Sequence, residues 1–336
     1  MKKVLITGIS GYVGLHTAAE LLKNGYAVRG SVRSLSKTAK LTEALRKEVD
    51  PKGNLEYYEL DLLKDDGWKE AMEGCDYVLH IASPYFATEP KDENEMIKPA
   101  IEGTQRALNA AKNAGVKRLV LTSSTVAMLG EGNRSINVNP DTWTNPKAKG
   151  MSAYIKSKTL AEKSAWDFIN AQTGNDKLEM VVLNPGAIWG PSLSGTLAGE
   201  SIELVKKMIT GKTPMLAKAA MNMVDVRDVA KIHVQALENQ QANGKRFIVA
   251  SERAYSFKEM ANILKTNGYK KVSTIEAPNF LLKIMSHFVP DAKAMKPFIG
   301  NTYSADVSNT MKTFNWKPMD FKKTVLETAE YIKPLI

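Results

Sequence analysis

The chain has 336 residues, 43% hydrophobic and 24% charged, with a formal net charge of +10 and a single cysteine, Cys75, which excludes an internal disulfide and fits a packing role in a reducing cytoplasm. The length suffices for one large domain and a smaller one, and with glycines breaking the run behind Lys2 and Lys3 and no apolar stretch of 18 residues, neither secretion nor a membrane span is expected. The lysines are scattered rather than interleaved with stacking aromatics, which argues against nucleic acid and leaves a basic surface that attracts anionic cofactors.

A strand-like run, Val4-Leu5-Ile6, leads into Thr7-Gly8-Ile9-Ser10-Gly11-Tyr12-Val13-Gly14, with three glycines at even spacing. A helical stripe follows in Leu15, Ala18, Ala19, Leu21 and Leu22, and Gly25 ends it. Glycines let a backbone turn tightly and approach a diphosphate, and the free N–H groups of the next helix point at that anion. Gly8, Ser10, Gly11, Tyr12, Val13 and Gly14 therefore read as a dinucleotide pyrophosphate site. The spacing differs from the common G-x-G-x-x-G form, and glycines alone would also fit an ordinary strand-to-helix turn.

A second strand over 27–32 carries no carboxylate at its end, where an NAD enzyme would hold the adenosine ribose. Arg33 first and Lys37 second supply cations suited to the 2′-phosphate of NADP, so NADPH is the expected cofactor. Further strand-like runs fall at 55–59, 77–81, 118–123 and 179–183, with helical or polar segments between most of them. This alternation predicts an α/β fold: a Rossmann-type doubly wound parallel sheet covered on both faces. Right-handed crossovers place Gly8, Arg33, Asp61, Ala82, Ser124 and Pro185 at the carboxyl ends of the strands, where such folds bind ligands. After Pro185 the alternation lapses. Arg246-Phe247-Ile248-Val249 then looks like a strand rejoining the sheet. The expected division is 1–185 plus 223–250 for the dinucleotide-binding domain and 186–222 plus 251–336 for a smaller, discontinuous substrate-binding lobe.

Tyr154 and Lys158 lie four positions apart in a strong helical pattern and share one face, with Lys156 off it. A nearby ammonium favours phenolate, so Lys158 is expected to bring Tyr154 toward the working range of a general acid/base. Such a pair occurs by chance in many helices, and the glycine turn is what gives it meaning. Leu119-Val120-Leu121-Thr122-Ser123-Ser124 is a strand ending in hydroxyls, and Ser124 is expected to hold a substrate carbonyl oxygen against Tyr154. No G-x-S-x-G elbow surrounds it, which disfavours a serine nucleophile. Tyr85, Phe86, Ile188, Trp189 and Met223 are candidates for an apolar pocket wall. His16, His80, His233 and His287 have no companions at metal-ligand spacing, so no metal is expected.

Over nearly its whole length the chain resembles the extended short-chain dehydrogenase/reductases, in their dihydroflavonol 4-reductase-like branch. The stretches that carry the likeness are the glycine turn, Val28-Arg29-Gly30-Ser31-Val32-Arg33, Asp61-Leu62, Gly74-Cys75-Asp76-Tyr77-Val78-Leu79-His80-Ile81-Ala82-Ser83-Pro84 and residues 153–162. The resemblance implies that Ser124, Tyr154 and Lys158 are catalytic, with Lys158 also bonding the nicotinamide ribose. It implies adenine-side contacts from Asp61 and Leu62, a cofactor cleft lined by Ala82 and Ser83, and Pro185 beside the nicotinamide ring. The implied activity is hydride transfer from NADPH to a small-molecule aldehyde or ketone, in a monomer or homodimer. The alternatives are a sugar-nucleotide epimerase or dehydratase, and a non-enzymatic NADP-sensing protein. Leu129 stands where plant flavonoid reductases of this branch carry an asparagine, and Met151-Ser152-Ala153 replaces the long tyrosine motif of cinnamoyl-CoA reductases. Ala100 replaces an asparagine usual in epimerases.

Overall fold

Strands with apolar residues on both faces need cover on both, and the computed structural model, which describes residues 1–84, 90–132, 135–278 and 302–336, supplies it. Among the described residues seven strands form one parallel sheet: β1 (Lys3–Thr7), β2 (Ala27–Val32), β3 (Leu55–Glu59), β4 (Tyr77–His80), β5 (Arg118–Thr122), β7 (Glu179–Pro185) and β11 (Arg246–Val249). Val4, Ile6, Leu79, Val181 and Phe247 face α1 (Tyr12–Lys23), α2 (Thr38–Arg46) and α7 (Val226–Ala236). Leu5, Val78, Leu121 and Val182 alternate with them and face α3 (Trp68–Met72), α4 (Asn94–Asn113) and α5 (Ala153–Asn170).

The spatial order is β11-β7-β5-β4-β1-β2-β3, so the chain winds outward from β1 to β3 and then returns beside β1 to wind the other way. This is the Rossmann-type α/β fold expected from the alternation, including β11 at the edge, registered on β7 by Phe247↔Leu183. The reversal opens a crevice at the carboxyl ends of β1 and β4.

Three two-stranded pairs flank the sheet's carboxyl edge: β6 (Ser135–Val138) with β13 (Thr302–Ala305), β8 (Ala187–Trp189) with β10 (Met223–Asp225), and β9 (Ala220–Met221) with β12 (Tyr255–Ser256). A third apolar cluster gathers Trp189 of β8 with Ile202, Met208, Met260, Leu264 and Val325 from α6 (Glu200–Ile209), α8 (Phe257–Thr266) and α10 (Phe321–Ile332). The short helix α9 (Ser308–Phe314) instead packs Phe314 edge-on against Phe247, 4.8 Å between ring centres, on the main sheet. Two side chains of α1 clamp the segment after β8: Tyr12 Oη donates to Gly190 O at 2.7 Å, and His16 Nε2 bonds Pro191 O at 2.9 Å.

Gly14 lets α1 approach the turn after β1, since a Cβ there would stand 2.2 Å from Gly8 O. That contact is backbone and cannot swing aside. Gly14→Ala should therefore lower unfolding free energy by about 1–3 kcal/mol in a urea titration. Wild-type stability in that variant would show that the turn relaxes.

Candidate active site

The turn at Gly8 (φ +72°) sends the chain under α1, whose N-cap, Gly11, offers no side-chain cap and whose first turn has no acidic residue. Gly8 N–H donates to Ser31 Oγ at 3.0 Å, tying the turn to β2. The first-turn N–H groups thus face a cavity of about 1080 Å³ along the carboxyl edge of the sheet. Gly8, Ser10, Gly11, Tyr12, Val13, Gly14, Arg33, Asp61, Leu62, Ala82, Ser83, Ser124, Tyr154, Ile188 and Trp189, all singled out from sequence, line it together.

Four other candidates among the described residues, Lys37, Pro185, Met223 and Lys158, do not line this cavity, Lys158 bordering a separate small one. Lys37 is exposed at the end of a 3-10 turn (Leu35–Lys37) and does not line the cavity, whereas Arg33 does. Pro185 is buried as the last residue of β7, and its neighbour Gly186 takes the lining position. Met223 packs in the third apolar cluster at 4% exposure because it pairs with Ala187 in the β8–β10 ladder; Met221 and Asn222 line the cavity instead. Tyr85 and Phe86, like His287, lie outside the described residues.

Ser152 caps α5 by accepting from Ile155 N at 3.2 Å, which fixes where the helix begins and so where Tyr154 projects. Ser124 leaves β5 and caps the 3-10 turn Thr125–Met128, its Oγ accepting from Val126 N at 3.3 Å. The same hydroxyl shares a hydrogen bond with the Tyr154 phenol. Burial raises the phenol above its ordinary value, and the Ser124 bond opposes this. Sequence reasoning expected Lys158 to lower it; desolvation is the larger influence here. Lys158 lies one turn along the helix, its Nζ 3.5 Å from Thr122 O. Burial pulls this ammonium down to about 8, against the field of Glu162. Lys156 points off this face and pairs with Glu93 at 2.5 Å.

Much of the cavity wall is apolar, with Val126, Leu129, Ile155, Met221 and Phe257 in it. Leu129, noted from sequence as a replaced asparagine, is among them. Sequence reasoning missed Phe257 and Tyr303, which arrive from α8 and β13. The capping box Ser256–Glu259 announces a helix start after Ser256, but nothing local says that the next residue faces this cavity. Among the described residues no group of three or more His, Cys, Asp or Glu could hold a metal ion, and no helix is long and apolar enough to cross a membrane.

Sheet order, glycine turn and reactive wall together define a dinucleotide-binding oxidoreductase. A sequence model of the NAD dependent epimerase/dehydratase family matches residues 4–250. Cinnamoyl-CoA reductase CAD2 of Medicago truncatula is 34% identical over 268 residues, 78% of this chain and 79% of that one. The NADPH-dependent methylglyoxal reductase Gre2 of Saccharomyces cerevisiae is 29% identical over 98% of this chain and 97% of its own. The crystal structure of the yeast methylglyoxal/isovaleraldehyde reductase Gre2 with NADPH aligns at a TM-score of 0.81 and 25% identity, covering 99% of each chain. The chain belongs to the NAD dependent epimerase/dehydratase family, in the dihydroflavonol 4-reductase-like branch of the extended short-chain dehydrogenase/reductases.

His16, His80 and His233 are buried, and desolvation lowers them to about 4, about 3 and about 4. Thr7 Oγ1 accepts from the Ile81 and Ala82 N–H groups, so its own proton goes to His80 Nδ1 at 3.0 Å, a structural bond. Because each folded-state value lies below that of the unfolded chain, the unfolded state binds protons first. Stability is then complete above about pH 6.5 and declines as pH falls toward 4, by about 1.4 kcal/mol per unit for each histidine. Melting curves between about pH 7.5 and pH 5 should show this decline, with a shallower slope in His233→Gln. A flat profile would contradict the burial of neutral imidazoles.

Proposed function

We propose that this protein is an NADPH-dependent carbonyl reductase that converts an aldehyde or ketone to the alcohol. The observation that carries the reading is the hydrogen-bonded pair Ser124–Tyr154 in the wall of the same cavity onto which the glycine turn opens. The residues present fit the cofactor. Gly8 and Gly14 leave room for close backbone approach, the first turn of α1 offers unopposed N–H groups, and Arg33 stands exposed at the rim for a 2′-phosphate. Asp61 and Leu62 would flank the adenine, Ala82 and Ser83 would line the cofactor cleft, and Gly186, next to the buried Pro185, would stand beside the nicotinamide. Lys37 is a second, more distant cation. When bound, NADPH supplies the hydride.

Ser124 and Tyr154 then donate hydrogen bonds to the carbonyl oxygen, which gains negative charge as the reaction proceeds. Tyr154 passes its proton to the developing alkoxide, and burial suits this task because it keeps the phenol protonated until that moment. Lys158 contributes its charge behind Tyr154 and would bond the nicotinamide ribose. The apolar wall around Leu129 and Phe257 suits a substrate with an apolar body. In this reading the substrate side draws on residues 186–222 and on the described residues of 251–336 other than α9, which packs on the main sheet. The relatives named as reductases favour reduction over epimerisation, and net consumption of NADPH separates the two.

Tyr154→Phe should reduce turnover by about a hundredfold or more while NADPH still binds. Near-normal turnover would refute the proton-donor role. Arg33→Ala should weaken NADPH about tenfold or more and leave NADH nearly unchanged, measured by cofactor fluorescence titration. Equal losses for both cofactors would reject the phosphate contact.

A further inference from the structure

Behind the reactive wall a buried polar knot surrounds Glu162, one turn beyond Lys158 on α5, with its side chain fully buried. The carboxylate accepts from Ser123 Oγ at 2.6 Å, Asn184 Nδ2 at 2.8 Å, Arg246 Nε at 2.6 Å and Trp166 Nε1 at 3.4 Å. Ser123 follows β5, Asn184 lies in β7 and Arg246 in β11, so one carboxylate ties the catalytic helix to three neighbouring strands. Asn184 Nδ2 also donates to Ser124 O at 3.2 Å. Arg246 donates to Pro140 O at 2.7 Å and Thr142 O at 2.9 Å, and its guanidinium lies 3.7 Å from the centre of the Trp143 ring.

Buried ion pairs are poor sources of stability, since desolvation cancels much of the Coulomb gain and apolar packing does as well. The knot's value must be sought in what it does for its neighbours. Lys158, Glu162 and Ser123 border one cavity of only about 10 Å³, which keeps ammonium and carboxylate in a single small compartment. The other groups facing it add little charge. From β4 comes His80, kept neutral by burial; from α4 comes Thr104; from β5 comes the Thr122 carbonyl. Tyr154 stands on the same helix as a neutral phenol, and the cation of Arg246 lies across the carboxylate and is paired with it.

We propose that Glu162 is a positioning residue for the reductase: its carboxylate holds α5 in register with the Ser123-Ser124 strand end and supplies the counter-charge to Lys158. This rests on the carbonyl-reductase reading. Removing the anion should make Lys158 lose its proton more readily, and with it the charge behind Tyr154 as pH rises.

The test compares wild type, Glu162→Gln and Glu162→Asp. Carbon-13 NMR of the lysine Cε in cofactor-free protein should place the Lys158 midpoint near its folded value of about 8 in wild type. It should fall by about one unit in Glu162→Gln and stay in place in Glu162→Asp. In Glu162→Gln, kcat at neutral pH should fall about tenfold or more and the alkaline limb of its pH profile should move down, while carbonyl KM stays within about threefold. A folded Glu162→Gln with wild-type midpoint, kcat and pH profile, changed only in Tm, overturns the proposal. If Glu162→Gln does not fold, Ser123→Ala removes a single donor. A loss of kcat of about threefold or more at near wild-type Tm supports the positioning role, and wild-type kcat overturns it. Turnover lost in Tyr154→Phe but intact in Glu162→Gln removes this proposal alone. An NMR shift in a protein with no reductase activity removes the earlier reading and leaves the Glu162–Lys158 coupling.

Discussion

The space between two glycines governs the nucleotide half of this molecule. Gly8 bends the chain after β1 with its carbonyl turned toward Gly14, and any side chain at Gly14 would strike that oxygen. The contact brings the start of α1 against the sheet edge, and its free N–H groups then face the crevice. Because the strand order reverses between β1 and β4, that crevice extends toward β5, and Ser124 emerges into the same space. Tyr12 and His16 carry the arrangement across to the segment after β8.

The side of the molecule that holds Ser124 and Tyr154 is organised differently, by buried polar groups. Ser124, Tyr154, Lys158 and Glu162 come from two elements that share no backbone ladder, so side-chain bonds must set their spacing. Solvent exclusion acts on both ionisable members. It pushes the phenol up and the ammonium down, which brings both toward the neutral form. A proton donor gains from that shift, whereas a cation loses by it. The carboxylate one turn away opposes the loss at Lys158, and this explains why an otherwise unprofitable charge sits in the interior.

Much of the fold was legible because the strands of a parallel sheet are short continuous apolar runs, and glycine punctuates their exits. The strand at 246–249 could be read for the same reason despite its distance from the rest. The nucleotide residues follow one another along the chain, so their spacing survives in sequence. The substrate side does not have that property. Phe257 and Tyr303 reach the cavity through tertiary packing, and the chain changes strand partners at Asn222, so Met221 lines the cavity while Met223, two residues on, packs away from it. The upward shift of Tyr154 is not legible either: helical spacing reports which charges are near, while desolvation depends on everything packed around them. Glu162, Asn184 and Arg246 form no local pattern: they lie far apart in the chain, and Glu162 and Arg246 each stand beside a lysine, so the buried ionic knot leaves no local trace in the sequence.

In the proposed reaction hydride leaves a bound dinucleotide for a carbonyl carbon held by Ser124 and Tyr154. Incubation with NADPH carrying deuterium in the transferred position, together with an apolar aldehyde, tests it most directly. One deuterium on the carbinol carbon of the product, with one cofactor oxidised per alcohol formed, is the expected result. Product without deuterium, or conversion of substrate with the cofactor pool unchanged, would contradict it.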